Sequence, residues 1–139
     1  MVAFNFKARF VAPLIAGTKP QTIRTNRRRN SKVGDTLQLY TGSRFKPRLV
    51  GKAKCLDCGD ITLFFGGKGT VVIQWRNAGG QVYDDAEQLD YFARNDGFEN
   101  WLDLCLFWQE EHGQLEPNRF QGWITYWGAS LVPSGEVSL

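Results

Sequence analysis

From Phe4 to Phe10, apolar and polar residues alternate: Phe4, Phe6, Ala8 and Phe10 are separated by Asn5, Lys7 and Arg9. A period of two describes a strand with one face on a core. Short extended runs recur along the chain at Gln21 to Thr25, Thr36 to Tyr40, Leu49 to Cys55, Ile61 to Phe65, Val71 to Trp75 and Phe120 to Trp127. Gly34-Asp35, Gly66-Gly67 and Gly79-Gly80 read as the turns between strands. The period changes in three places. Val11 to Gly17 carries Pro13 in a first turn and a glycine past the end, which predicts a short helix. Ala86, Leu89, Phe92 and Ala93 share one helical face, and Phe98, Trp101, Leu102, Cys105 and Trp108 share another. Gly97 marks the joint and Gly113 the end of this late pair. The pattern predicts an α+β fold, a curled sheet or barrel with a short early helix and a late helix pair.

The 139 residues hold no internal repeat and no linker, and the pattern predicts one domain over residues 1–127. Residues 128–139 are turn-rich and weakly patterned, which predicts a flexible tail. Apolar residues make up 42% and charged residues 22%, a composition that excludes a disordered chain. No apolar run approaches the ~20 residues of a membrane helix. The opening residues lack the uninterrupted apolar stretch of a secretory signal. The expectation is a soluble, cytoplasmic protein without a membrane partner.

Charge is divided unevenly. Residues 1–54 contain thirteen Lys or Arg and a single acid, Asp35, whereas the remainder contains four basic and thirteen acidic residues. Such a division marks either an anion-binding face or two halves that pair internally. The three cysteines, Cys55, Cys58 and Cys105, form no even disulfide framework. Cys55 and Cys58 make one C-x-x-C, and a zinc site needs a second half-site beyond Cys105 and the lone His112. The reading therefore assigns no metal and no cofactor. A phosphate-binding glycine loop with its lysine, a G-x-S-x-G elbow and H-E-x-x-H are all absent from the sequence.

One constellation remains. Lys19, Thr22 and Arg24 follow the helix-ending Gly17. On an extended segment Thr22 and Arg24 share a face, and the preceding loop brings Lys19 near them. The trio reads as an anion site, as a Thr–Lys nucleophile pair, or as a basic loop beside an ordinary strand residue. Nucleophilic work needs a base for the hydroxyl, and a lysine serves when burial or neighbouring cations depress its pKa.

The stretch Gly17, Lys19, Thr22, Arg24 resembles the G-x-K-x-x-T-x-R pattern of the ASCH domain, a family with a PUA-like β-barrel fold. Val33-Gly34-Asp35, Leu39 to Arg44, Ala93 to Phe98 followed by Trp101 and Trp108, and Phe120 to Ile124 are similar to further family segments, in order, from about Phe4 to Trp127. The resemblance implies a PUA-like barrel. It also implies an amidohydrolase that removes the acyl group from N4-acylated cytosine or cytidine, as the small bacterial N4-acetylcytidine amidohydrolases do. Lys19 and Thr22 would be catalytic, and Asp96 stands where those enzymes carry a glutamate. Arg24, Tyr40, Arg44 and Phe98 would bind substrate. Asp96 has a competing role, because Asp96-Gly97-Phe98-Glu99 also reads as the N-cap of the second late helix. The alternative partner is RNA, bound or cleaved, with Arg27, Arg28, Arg29 and Lys32 meeting phosphates.

Overall fold

The computed structural model describes residues 1–113 and 118–137. Alternation in β1 (Val2–Phe6) turns Phe4 and Phe6 into the core and leaves Ala3 and Asn5 outside. The strand stops short of the expected Phe10, because Ala8–Phe10 winds into a 3-10 turn that runs directly into α1 (Val11–Ala16). Phe10 is still buried. Gly17, at φ +81°, ends α1, and its N–H reaches back to the carbonyls of Leu14 and Pro13. Only a residue tolerant of the left-handed region closes a helix this way. The N–H groups of Thr18 and Lys19 also donate to Pro13 O, at 3.0 and 3.2 Å, so the chain turns tightly into β2 (Gln21–Arg24).

The chain continues through β3 (Thr36–Ser43), β4 (Lys46–Lys54), β5 (Asp57–Phe64), β6 (Thr70–Trp75), β7 (Gly79–Tyr83), α2 (Ala86–Asn95), α3 (Trp101–His112), β8 (Arg119–Tyr126) and β9 (Val132–Pro133). The class is α+β, as the patterning predicts. The strands form two sheets, ordered β1-β3-β4-β9 and β2-β8-β5-β6-β7, and among the described residues no ladder closes them into a barrel. Among the described residues β1 is an edge: it pairs with β3 alone, in parallel, and the carbonyls of Ala3 and Asn5 accept side-chain donors rather than a second strand.

Three elements depart from the sequence reading. Gly79 and Gly80 are not the turn but the start of β7, paired with Trp75 and Gln74 of β6, because the reversal occurs at residues 76–78. Beyond Trp127, β9 pairs with β4, the Ser134 N–H donates to Val50 O at 2.9 Å, and Val137 is buried. The inward face of α3 is Leu104 and Trp108, while Leu102 is 65% exposed. α3 begins at Trp101, capped by Asn100, whose side chain accepts the Asp103 N–H, so Phe98 precedes the helix and is not part of its face. Among the described residues no helix is long and apolar enough to cross a membrane.

Phe10, Phe98 and Phe107 pack edge-on or tilted, with centroids 5.2 to 5.5 Å apart. This aromatic cluster joins the 3-10 turn to α3 and to the link between α2 and α3. The Arg9 guanidinium lies against all three rings and pairs with Asp103 at 2.6 Å. These contacts fix the wall of the cleft described next.

Candidate active site

Lys19, Thr22, Arg24, Asp96 and Phe98 all line one cleft of about 460 Å³, between β1, β2 and the late helices. The sequence places three of them through local rules. The αL turn at Gly17 aims Lys19 inward, and strand geometry puts Thr22 and Arg24 on one face. Arg24 Nε donates to Thr22 Oγ1 at 3.0 Å, which fixes both side chains. The guanidinium also donates from Nη2 to Asn5 O at 2.8 Å and lies over the rings of Phe4 and Phe6.

Asp96 enters from a different direction. It is not the N-cap of α3 that the local pattern suggests, since Asn100 fills that position; it ends α2, where its own N–H reaches the carbonyls of Phe92 and Ala93. A helix terminus leaves carbonyls without intrahelical partners and carries partial negative charge. The Asp96 carbonyl is met by Lys19 Nζ at 2.5 Å. The carboxylate Oδ1 stands 3.6 Å from the same amine, and among the described residues this buried oxygen has no hydrogen-bond partner. Gly97, at φ +94°, allows this approach: a Cβ there would fall 2.8 Å from Lys19 Cδ and 2.9 Å from a Phe10 ring carbon.

Lys19, Thr22 and Asp96 are each at most 4% exposed. Burial governs the charges. Desolvation lowers the Lys19 amine to about 8; Asp96 opposes the shift by attraction, and Arg24 and Arg9 reinforce it by repulsion. Desolvation raises the Asp96 carboxyl above its ordinary range, against the pull of Lys19, Gln21 and Arg24. Burial, then Arg27, lower Arg24 to about 10, so it stays cationic at neutral pH. A lysine amine lowered to about 8, in one cleft with a hydroxyl that accepts from a guanidinium, brings together the residue types of a general base and a nucleophile. In the structure Nζ is held by Asp96 and Thr22 Oγ1 by Arg24; among the described hydrogen bonds none joins the two directly.

Tyr40 and Arg44 lie outside this cleft, in a neighbouring groove of about 510 Å³ that shares Asn5 and Arg24 with it and also holds Arg27. Arg28, Arg29 and Lys32 surround a third hollow, of about 530 Å³, with Trp123 and Arg76. Cys55 and Cys58 are buried in the core, and desolvation raises both thiols, Cys55 to about 12.

Sequence reading missed Phe10, Phe107, Trp108 and Glu111 of the cleft wall. The signal exists: Leu104, Phe107, Trp108, Glu111 and His112 follow a helical i, i+3, i+4, i+7, i+8 pattern once α3 starts at Trp101. Glu111 also pairs with Lys7 at 2.8 Å on the rim, tying α3 to the segment after β1. Searches of protein-family models, curated proteins and solved structures return no match to this chain.

Proposed function

We propose that the cleft hydrolyses the amide of an N4-acylated cytosine or cytidine, with Lys19 as base and Thr22 as nucleophile. The observation that carries the reading is the buried Lys19 amine, lowered to about 8, in the same cleft as a Thr22 hydroxyl already polarised by Arg24. The substrate class comes from the ASCH resemblance of Gly17, Lys19, Thr22 and Arg24, which also underlies a PUA-like reading of the two sheets.

In the proposed cycle, substrate binding moves neutral Lys19 Nζ from the Asp96 carbonyl to the Thr22 hydroxyl. Lys19 takes the hydroxyl proton as Oγ1 bonds to the acyl carbon. The acyl C=O opens to a tetrahedral oxyanion to which Arg24 donates, and such a donor is typically worth ~3 kcal/mol; the carbonyl re-forms in the next step. The bond between acyl carbon and exocyclic nitrogen then breaks, and the Lys19 ammonium gives its proton to the leaving amine. Lys19 next deprotonates a water that attacks the threonine ester, which releases the carboxylic acid and restores both side chains. Asp96 steadies the ammonium between these steps. Phe98 flanks the base.

The test is incubation of the purified protein with N4-acetylcytidine and measurement of cytidine. Wild type is expected to release cytidine, Thr22→Ala to lose it by a factor of about a hundred or more, and Thr22→Ser to retain part of it. An inert wild type, or a fully active Thr22→Ala, overturns the assignment.

A second reading, RNA binding, is favoured by the hollow of Arg28, Arg29 and Lys32, which no acid lines among the described residues. Its contacts would be to phosphates rather than to stacked bases, because the Arg76 guanidinium already covers the Trp123 ring at 4.8 Å. Retardation of RNA that weakens steeply between two salt concentrations supports this reading, and no binding at low salt removes it.

A further inference from the structure

We infer that the groove beside the cleft is a phosphate subsite, so that the substrate is a phosphorylated cytosine nucleotide rather than a bare nucleoside. The inference rests on the reading of the cleft as a cytosine-processing site. Arg24, Arg27 and Arg44 line the groove together with Tyr40, and among the described residues no Asp or Glu lines it. Among the described residues none of the three arginines makes an ion pair.

Two of these guanidinium groups are held in place before any ligand arrives. β1 is an edge strand, and its carbonyls at Ala3 and Asn5 accept Arg27 Nη1 at 3.0 Å and Arg24 Nη2 at 2.8 Å. Carbonyls two residues apart on a strand point the same way at a spacing of roughly 7 Å. The Phe4 ring backs both groups, with its centroid 5.3 Å from Arg24 and 4.6 Å from Arg27. Each guanidinium therefore spends part of its fork on the protein and keeps further N–H donors for a ligand. Like charges fixed side by side repel, and an anion between them relieves the repulsion. Guanidinium forks match phosphate oxygens in geometry, and a charge-assisted hydrogen bond is about twice as strong as a neutral one.

Continuity decides the ligand. Arg24 and Asn5 belong to the walls of both hollows. A molecule with its base against Lys19 and Thr22 reaches the arginines of the groove with whatever its sugar carries. A phosphate is the group that this fixed, uncompensated charge selects.

The experiment compares binding of cytidine, cytidine 5′-monophosphate, cytidine 3′-monophosphate and inorganic phosphate to the intact protein by calorimetry, without turnover. One of the monophosphates is expected to bind at least about tenfold more tightly than cytidine. Arg27→Gln and Arg44→Gln, separately and together, are expected to shrink that ratio toward one. The ratio is taken within each variant, so a general loss of affinity does not imitate the effect, and Arg44 lies on an exposed hairpin turn where replacement leaves the fold intact. Equal affinity for cytidine and both monophosphates overturns the inference, as does a preference that survives the double variant. A short cytidine RNA that binds far more tightly than either monophosphate, and weakens on Arg28→Gln and Arg29→Gln instead, assigns the phosphates to the other hollow and also overturns it. Failure to hydrolyse both N4-acetylcytidine and its 5′- and 3′-monophosphates, with the monophosphate preference intact, sinks the hydrolase and leaves the subsite.

Discussion

Lys19 Nζ lies 2.5 Å from the backbone oxygen of Asp96 and 3.6 Å from its carboxylate. One buried amine thus closes the end of α2 inside the cleft that Thr22 also lines. The proposed base is therefore also a structural contact, and the two roles separate by experiment.

Hydrolysis of N4-acetylcytidine should rise with pH through about 8, because the neutral amine accumulates as pH passes that value. The attraction of Asp96 raises the Lys19 pKa, so Asp96→Asn should move this limb to lower pH. A pH–rate profile of both proteins measures the shift. An unmoved limb, or one displaced upward, contradicts the coupling.

The same amine links stability to pH. Its folded value of about 8 lies below its ordinary 10.5. Between the two, the unfolded chain holds a proton that the folded chain has released, so stability rises with pH across that window. Lys19→Met lacks this titration. The stability of wild type relative to Lys19→Met should therefore grow by ~3 kcal/mol between about pH 7 and about pH 10.5. Urea denaturation at the two ends reads it, and a constant difference refutes the buried assignment.

Gly97→Ala introduces a Cβ 2.8 Å from Lys19 Cδ at a backbone φ of +94°. Strain of this kind costs about 1 to 3 kcal/mol. Because the intruding methyl pushes on the Lys19 stem, the variant should also lose hydrolysis at temperatures where it remains folded. Thermal denaturation alongside an assay at low temperature distinguishes the two effects.

Asn100→Ala should destabilise the protein by about 1 kcal/mol, since it removes the side chain that accepts the Asp103 N–H. Asn100→Asp should be close to neutral. If chemical denaturation gives no loss for Asn100→Ala, the start of α3 lies elsewhere.

Much of the site was legible in one short stretch. Gly17 to Arg24 contains the turn, the lysine and the shared strand face, and each follows from a local rule. The strand alternation at Phe4 and Phe6 was equally plain. Asp96 was not, because an aspartate before Gly97-Phe98-Glu99 satisfies a capping pattern as well as it ends the preceding helix. Asn100 wins the cap because Trp101 packs as the first helical residue and its N–H donates to Asp90 of α2, at 2.9 Å. β7 escaped notice because two glycines signal a turn, yet pairing with β6 holds them extended.

Periodicities, the helix stop at Gly17 and the spacing that sets Thr22 and Arg24 side by side follow from amino-acid order alone. Those are interactions among residues a few positions apart, and the backbone transmits them without help. Which charges lose water is set by long-range packing. Lys19 and Asp96 are 77 positions apart, and neither carries a sign of burial in its own neighbourhood. Desolvation depends on what packs around a group from every side, so the amine's shifted proton affinity belongs to the assembled sheets and helices.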